Sequence, residues 1–185
     1  MQFTATPFPG LFVIEPKVFG DARGFFMETY RRRLFEAHGL DREFVQANHA
    51  KSGQAGVLRG LHFQTPPHAQ AKLVRVSAGA VYDVVVDLRV GSPTYGAWYG
   101  LELSAANFVQ LFIPRGFAHG YWTLTPDVEF QYMVDAYYAP DHDAGLVWND
   151  PDLAVTWPGD APILSAKDAA LPRFKDFASP FVYEP

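Results

Sequence analysis

The sequence predicts an all-β fold, an antiparallel sandwich or barrel of jelly-roll type with a few short peripheral helices. Three observations carry this. Turn signals recur at roughly 8–12-residue intervals, at Ser77-Ala78-Gly79, Gly91-Ser92-Pro93, Ala105-Ala106-Asn107, Pro114-Arg115-Gly116 and Thr125-Pro126-Asp127. The runs between them are short and rich in Val, Tyr, Phe and Leu, residues that suit a pleated, half-buried surface. No helical segment separates these runs, so the crossovers that a parallel sheet requires are missing. In order, the expected strands are 72–76, 81–88, 98–103, 108–113, 119–124 and 128–134.

Two short helices flank this array. The first, residues 31–38, follows an extended aromatic N-terminal stretch and stops at Gly39, a suitable residue just past a helix end. The second opens at Ser165-Ala166-Lys167-Asp168, a serine cap followed by an acid at the third helical position, and Pro172 limits it to a turn or two.

The chain of 185 residues suits a single domain, residues 1–185, able to bury roughly 70% of its unfolded surface. It contains no cysteine, which excludes a disulfide framework, a thiolate nucleophile, a Cys-ligated zinc and an iron–sulfur cluster. A net charge of −5, from 15 Lys+Arg and 20 Asp+Glu, argues against a nucleic-acid partner. The opening MQFTATPFPG has no basic stretch and no apolar core of the secretory kind, and the richest apolar run, residues 80–88, is cut by Asp83 and Asp87. The expected compartment is the cytoplasm, with no membrane partner. The 4 Trp, 9 Tyr and 16 Phe supply an aromatic β core or flat platforms for rings such as bases and sugars.

Ionisable residues inside the expected strands point to chemistry. In LRGLHFQ (58–64), Arg59 and His62 flank a glycine within an apolar run. Ten residues past His62, Lys72 opens a strand in which alternation puts it on the face of Val74 and Val76. Asp83 and Asp87 share a face with Val81 and Val85, so an inward carboxylate is the expected partner of Lys72. If that face is instead solvated, Lys72 is an ordinary surface cation.

Pro114-Arg115-Gly116-Phe117-Ala118-His119 has the spacing P-x-G-x-x-H, which resembles the second motif of the cupin superfamily, small β-barrels that often place this histidine on a metal. Metal-binding cupins also supply an H-x-H pair and a glutamate. The corresponding region here offers only His62 and His68, too few for the usual three protein ligands, so no metal is expected. What remains is a cupin-type lumen holding His62, His119, Lys72, Arg59 and Tyr132. These can act as base, cationic stabilisers and acid without a cofactor.

Plainer roles stand beside these. Asp168 suits a capping box, Tyr132 a core position, His119 the satisfaction of a buried backbone group, and Arg23 a surface ion pair with Asp21 or Glu28. His38, His49 and His142 join no constellation and are expected at the surface.

At these residues the chain resembles the dTDP-4-dehydrorhamnose 3,5-epimerase family of cupin-fold sugar-nucleotide epimerases. The resemblance runs from Glu15-Pro16-Lys17-Val18-Phe19-Gly20-Asp21-Ala22-Arg23-Gly24-Phe25-Phe26 to Leu164-Ser165-Ala166-Lys167-Asp168. It is most specific at LRGLHFQ (58–64), AKLVRV (71–76), GSPTYG (91–96), PRGFAHG (114–120) and WNDP (148–151). It implies that His62 is the general base oriented by Asp168, that Tyr132 is the general acid, and that Arg59 and Lys72 stabilise an enolate at C4. It also implies a dTDP-sugar substrate held by Phe19, Arg23, Glu28, Gln46, Asn48, His119, Tyr138 and Asp143, some of them across a homodimer interface, with no cofactor. Family members often carry a lysine after the acid tyrosine; Met133 stands there in this chain, and alternation turns it away from Tyr132's face. Three other functions fit the same features: a C3-only epimerase of a related sugar, a metal-dependent cupin, and a non-catalytic sugar-nucleotide-binding barrel.

Overall fold

The computed structural model describes residues 1–185 and contains thirteen strands. They are β1 Gln2–Ala5, β2 Phe12–Glu15, β3 Val18–Asp21, β4 Gly24–Met27, β5 Gln46–Ser52, β6 Leu58–Gln64, β7 Lys72–Ala78, β8 Ala80–Asp87, β9 Trp98–Ser104, β10 Gln110–Ile113, β11 Phe117–Thr123, β12 Val128–Val134 and β13 Asp143–Gly145. Two short helices, α1 Arg32–Glu36 and α2 Ala166–Ala169, lie outside them. One sheet has the order β1-β2-β10-β7-β12-β5, the other β13-β6-β11-β8-β9, and β3-β4 form a separate hairpin. Every strand pairing within these sheets is antiparallel, giving the all-β jelly roll that the turn spacing predicts and the cupin-like form that the resemblance implies.

Alternation decides which residues meet between the sheets. Val74 and Val76 of β7, Val81 and Val85 of β8, Tyr121 of β11, and Val128 and Phe130 of β12 join one buried cluster in the interior. The outward residues of β8, Val84 and Val86, are buried as well, because the C-terminal segment brings Leu146, Leu153 and Phe181 over them. This explains why β8 reads as an almost unbroken apolar run. On the other sheet, Phe35 of α1 and Leu40 cover Leu73 and Phe112, with Met133 packed against the same cluster. Met133 thus lies on the side of β12 opposite Tyr132's neighbours Phe130 and Val128, as alternation requires.

Several boundaries differ from the sequence reading. The strand expected from residue 108 starts at Gln110, because Phe108 has φ +58° and the Asn107 side chain accepts from the Ser104 and Val109 backbone N–H groups. The first helix shortens to Arg32–Glu36, with Gly39 at φ +75° beyond it. Six strands before residue 65 lay outside the expected array. Four of them are only four residues long, too short to show a period.

The departure that matters most is in β6. His62 pairs with His119 and Arg59 with Tyr121, so three steps along β6 match two along β11. This is a bulge, and it reverses the alternation. Strict alternation would put Arg59 and His62 on opposite faces; the extra residue lets both border the same cavity while Leu61 and Phe63 pack outward. Gly60 makes the bulge possible. It sits at φ +134°, and a Cβ there would stand 2.5 Å from the Gly120 Cα and 2.9 Å from the His119 carbonyl oxygen. Gly60→Ala is therefore expected to cost about 2–3 kcal/mol, lowering Tm by on the order of 5–10 °C in a thermal melt. An unchanged Tm would show that the two backbones separate freely.

Candidate active site

The strands converge on a cavity of about 430 Å³ bordered by Arg59, His62, Lys72, His119, Tyr132 and Asp168. All five residues predicted to do chemistry are therefore brought together, with His119 beside them. The two sheets contribute opposite walls. His62 and His119 come from the β13-β6-β11-β8-β9 sheet, Lys72 and Tyr132 from the other.

His62 and Asp168 form the tightest polar contact of the site, with Nε2 2.5 Å from Oδ1. Asp168 is 3% exposed. Its place follows from local sequence, because the Ser165 side chain accepts from the Asp168 backbone N–H at 3.0 Å and starts α2. The serine performs the cap, and the carboxylate reaches the imidazole. Capping and orienting thus coexist at this segment. Burial pushes the His62 pKa below its ordinary value; Asp168 pulls it up and Lys72 pushes it further down. A neutral imidazole, the form that accepts a proton, is thus favoured at pH 7.

Lys72 makes no ion pair, contrary to the expectation that Asp83 or Asp87 would hold it. Asp83 instead bonds His119, with Oδ2 2.9 Å from Nε2. Asp87 accepts from Arg89, Ser92 and Thr94 and organises the loop after β8. Those two carboxylates share a strand face with Val81 and Val85, but a cross-strand histidine reaches Asp83 first and the following loop reaches Asp87. Burial drives the Lys72 pKa down to about 8, with Asp143 and Asp83 opposing from a distance. Burial also raises the pKa of Tyr132, against a lowering by Arg59, so the phenol keeps its proton until one is demanded. Arg59 is oriented by Ser52 Oγ, 3.3 Å from Nε, and by the Lys51 carbonyl, 3.2 Å from Nη2.

An adjoining cavity of about 350 Å³ shares His62, Lys72 and Tyr132 with the first and extends it towards Gln46, Asn48, Tyr138 and Asp143. These four are linked by hydrogen bonds. Gln46 donates to Asn48 at 2.9 Å and accepts from the Tyr138 backbone N–H at 3.0 Å, while the Tyr138 hydroxyl donates to Asp143 at 3.0 Å. Lys167 closes the group, with Nζ 2.5 Å from Asp143 Oδ2. Sequence reading missed Lys167, although it stands in the quoted Ser-x-Lys-Asp segment, and it missed Asp83 as the partner of His119.

Phe19, Arg23 and Glu28 do not reach either cavity within the chain. Phe19 is 54% exposed on the β3–β4 hairpin, Arg23 pairs with Asp21 at 2.6 Å, and Glu28 pairs with Arg31 at 2.7 Å rather than with Arg23. Of the histidines expected at the surface, His38 and His49 are exposed. His142 is half-buried, 3.0 Å from Thr65 Oγ1 and packed against the His68 ring. No three His, Asp or Glu side chains gather into a set that could hold a metal ion.

Comparison with known proteins agrees with this geometry. A family model described as dTDP-4-dehydrorhamnose 3,5-epimerase matches residues 5–176. The Pseudomonas aeruginosa dTDP-4-dehydrorhamnose 3,5-epimerase is 51% identical over 178 residues, covering 95% of this chain and 97% of that protein. A crystal structure of the Bacillus anthracis epimerase with TDP and PPi bound is 50% identical with a TM-score of 0.92, over 94% of this chain and 99% of that one. The Legionella pneumophila 3,5-epimerase, in complex with dTDP-4-keto-L-rhamnose, superposes with a TM-score of 0.95 at 42% identity over 100% of this chain and 99% of that one. With a match this long, and with an imidazole–carboxylate pair facing a tyrosine inside a jelly roll, the chain belongs to the dTDP-4-dehydrorhamnose 3,5-epimerase family.

Proposed function

We propose that this chain, acting as one domain of residues 1–185, epimerises C3 and C5 of dTDP-4-dehydro-6-deoxy-D-glucose to give dTDP-4-dehydro-L-rhamnose. The observation that carries the reading is the pairing of His62 with Asp168 on one wall of a cavity whose opposite wall presents Tyr132 and Lys72. The C4 ketone of such a sugar acidifies the hydrogens at both neighbouring carbons. Neutral His62 takes one of these protons, the C–H electron pair becomes the new C=C bond to C4, and the carbonyl π pair moves onto the C4 oxygen. Asp168 stabilises the imidazolium that results.

The enolate oxygen is the charge that needs an answer. Lys72 and Arg59 supply positive charge from inside the cavity, where low polarity magnifies it. Each pKa unit by which they stabilise the enolate returns about 1.4 kcal/mol of an uphill deprotonation. Tyr132 then gives its phenolic proton to the face of the carbon opposite His62, and the configuration inverts. These groups complete the step without a cofactor.

The exposed β3–β4 hairpin supports a homodimer in which Phe19, Arg23 and Glu28 of one copy meet the nucleotide in the other. Gln46, Asn48, Tyr138 and Asp143 hold it from within, and His119 lines the sugar end. No helix is long and apolar enough to cross a membrane, and a sugar-nucleotide substrate supports a cytoplasmic location.

Incubation with dTDP-4-keto-6-deoxyglucose in D₂O, followed by NMR, tests the reading. Deuterium at both C3 and C5 is the expected result. Label at C3 alone would assign the chain to C3-only epimerisation, and tight nucleotide binding without label at either carbon would leave a binding barrel.

A further inference from the structure

One polar group in the cavity has no task in that mechanism. Tyr121 of β11 borders the space shared by Arg59, His62, Lys72 and Tyr132 and is only 5% exposed. Its hydroxyl is buried without a hydrogen-bond partner. Burial raises the phenol's pKa to about 12; the Arg59 charge and the nearby Ser52 hydroxyl lower it, but the Ser52 contact falls short of good hydrogen-bond geometry. A buried hydroxyl left unpaired costs about 1–3 kcal/mol, so native proteins seldom keep one unless something else satisfies it. The ring is braced by its neighbour: it stacks on Phe130 with centroids 4.2 Å apart and planes 13° from parallel. The residue is therefore a stacked hydrogen-bond donor in the wall of the cavity.

Resting on the epimerase reading, we propose that Tyr121 is a specificity-determining residue that donates a hydrogen bond to the 2-hydroxyl of the hexose. The substrate of that reading carries two free hydroxyls, at C2 and C3. C3 inverts, so its hydroxyl swings from one side of the ring to the other and cannot keep a rigid partner. C2 is untouched by either inversion. The 2-hydroxyl alone keeps its configuration from substrate to product, and a donor braced by stacking suits a group that stays in place.

The test compares wild type and Tyr121→Phe on two substrates, the 4-keto-6-deoxyglucose nucleotide and its 2-deoxy analogue. Phenylalanine keeps the stack on Phe130 and leaves no void. With the parent substrate, Tyr121→Phe is expected to lower kcat/KM about tenfold, the ordinary worth of one neutral hydrogen bond. Wild type is expected to lose a similar factor on the 2-deoxy analogue, and the variant to treat the two substrates nearly alike. Affinity for dTDP alone and Tm should hold. Equal losses on both substrates, or a fall in Tm or dTDP affinity of matching size, would overturn the proposal in favour of a structural role. A variant as active as wild type on the parent substrate would overturn it outright. Absence of turnover by wild type would instead remove the epimerase reading, and the proposal with it.

Discussion

His62→Ala is expected to lower kcat by about 10²–10⁴-fold while dTDP still binds, because the variant removes the proton acceptor and leaves the nucleotide-holding residues in place. The measurement is deuterium incorporation from D₂O, with calorimetric titration of dTDP as the control for a folded site. Asp168→Asn provides the finer test. The α2 cap is made by the Asp168 backbone N–H to Ser165, so it survives the change of side chain. What the asparagine loses is the charge 2.5 Å from the imidazole. A loss of about 10² or more in kcat with Tm nearly unchanged is expected, as for other carboxylates that orient a catalytic histidine. Full activity in either variant would move the base elsewhere in the cavity, with His119 the first alternative.

Lys72→Met is expected to have the next largest effect. Methionine matches the lysine stem but removes one of the two cations that border the cavity, a loss of about 10²–10³ in kcat. The pH profile provides an independent signature. In wild type, kcat/KM should fall on the acid side as His62 is protonated, with a midpoint below the ordinary 6.5 of histidine. It should fall again as pH rises through about 8, where Lys72 loses its proton. Lys72→Met should abolish the alkaline limb and retain the acid one. Stability should move the opposite way to activity. Lys72 has a folded pKa of about 8 against 10.5 for the free group, so between these values the unfolded chain binds more protons than the native one. Native stability then rises with pH across that window, and the cost of the buried charge is fully present below it. The methionine variant escapes that cost, so its Tm at pH 7 should exceed that of wild type. A lower Tm would mean that Lys72 supports the fold as well as the chemistry.

Much of this site was legible before the fold. The jelly roll followed from turn spacing in the second half of the chain, where strands are long enough to alternate. The resemblance at LRGLHFQ and Ser-Ala-Lys-Asp named His62 and Asp168, whose sequence separation of 106 residues no local pattern could bridge. Alternation put Lys72 on the inward face of Val74 and Val76 and turned Met133 away from Tyr132. Arg59 and His62 share the lumen as expected, but only because a single extra residue in β6 cancels the period of two, and nothing in the composition of a seven-residue strand signals a bulge except the glycine inside it. The partner of Lys72 was misread for a related reason. Strand parity fixes which face a carboxylate occupies, but not which of several donors within reach is nearest. Tyr121 looked like one more aromatic in a β core until its oxygen proved to lack a partner.

The stacked pair of Tyr121 and Phe130 has a mechanical consequence. One ring belongs to each sheet, and so do His62 and Tyr132. Two facing sheets pack about 10 Å apart, and what sets that separation locally is the thickness of the side chains wedged between them. The aromatic pair therefore acts as a strut between the wall that carries the proton acceptor and the wall that carries the proton donor. Slimming the strut, for instance with Phe130→Leu, would let the walls draw together or slide past one another. The resulting defect would be one of gauge: an enzyme with every reactive group intact and the wrong clearance between them.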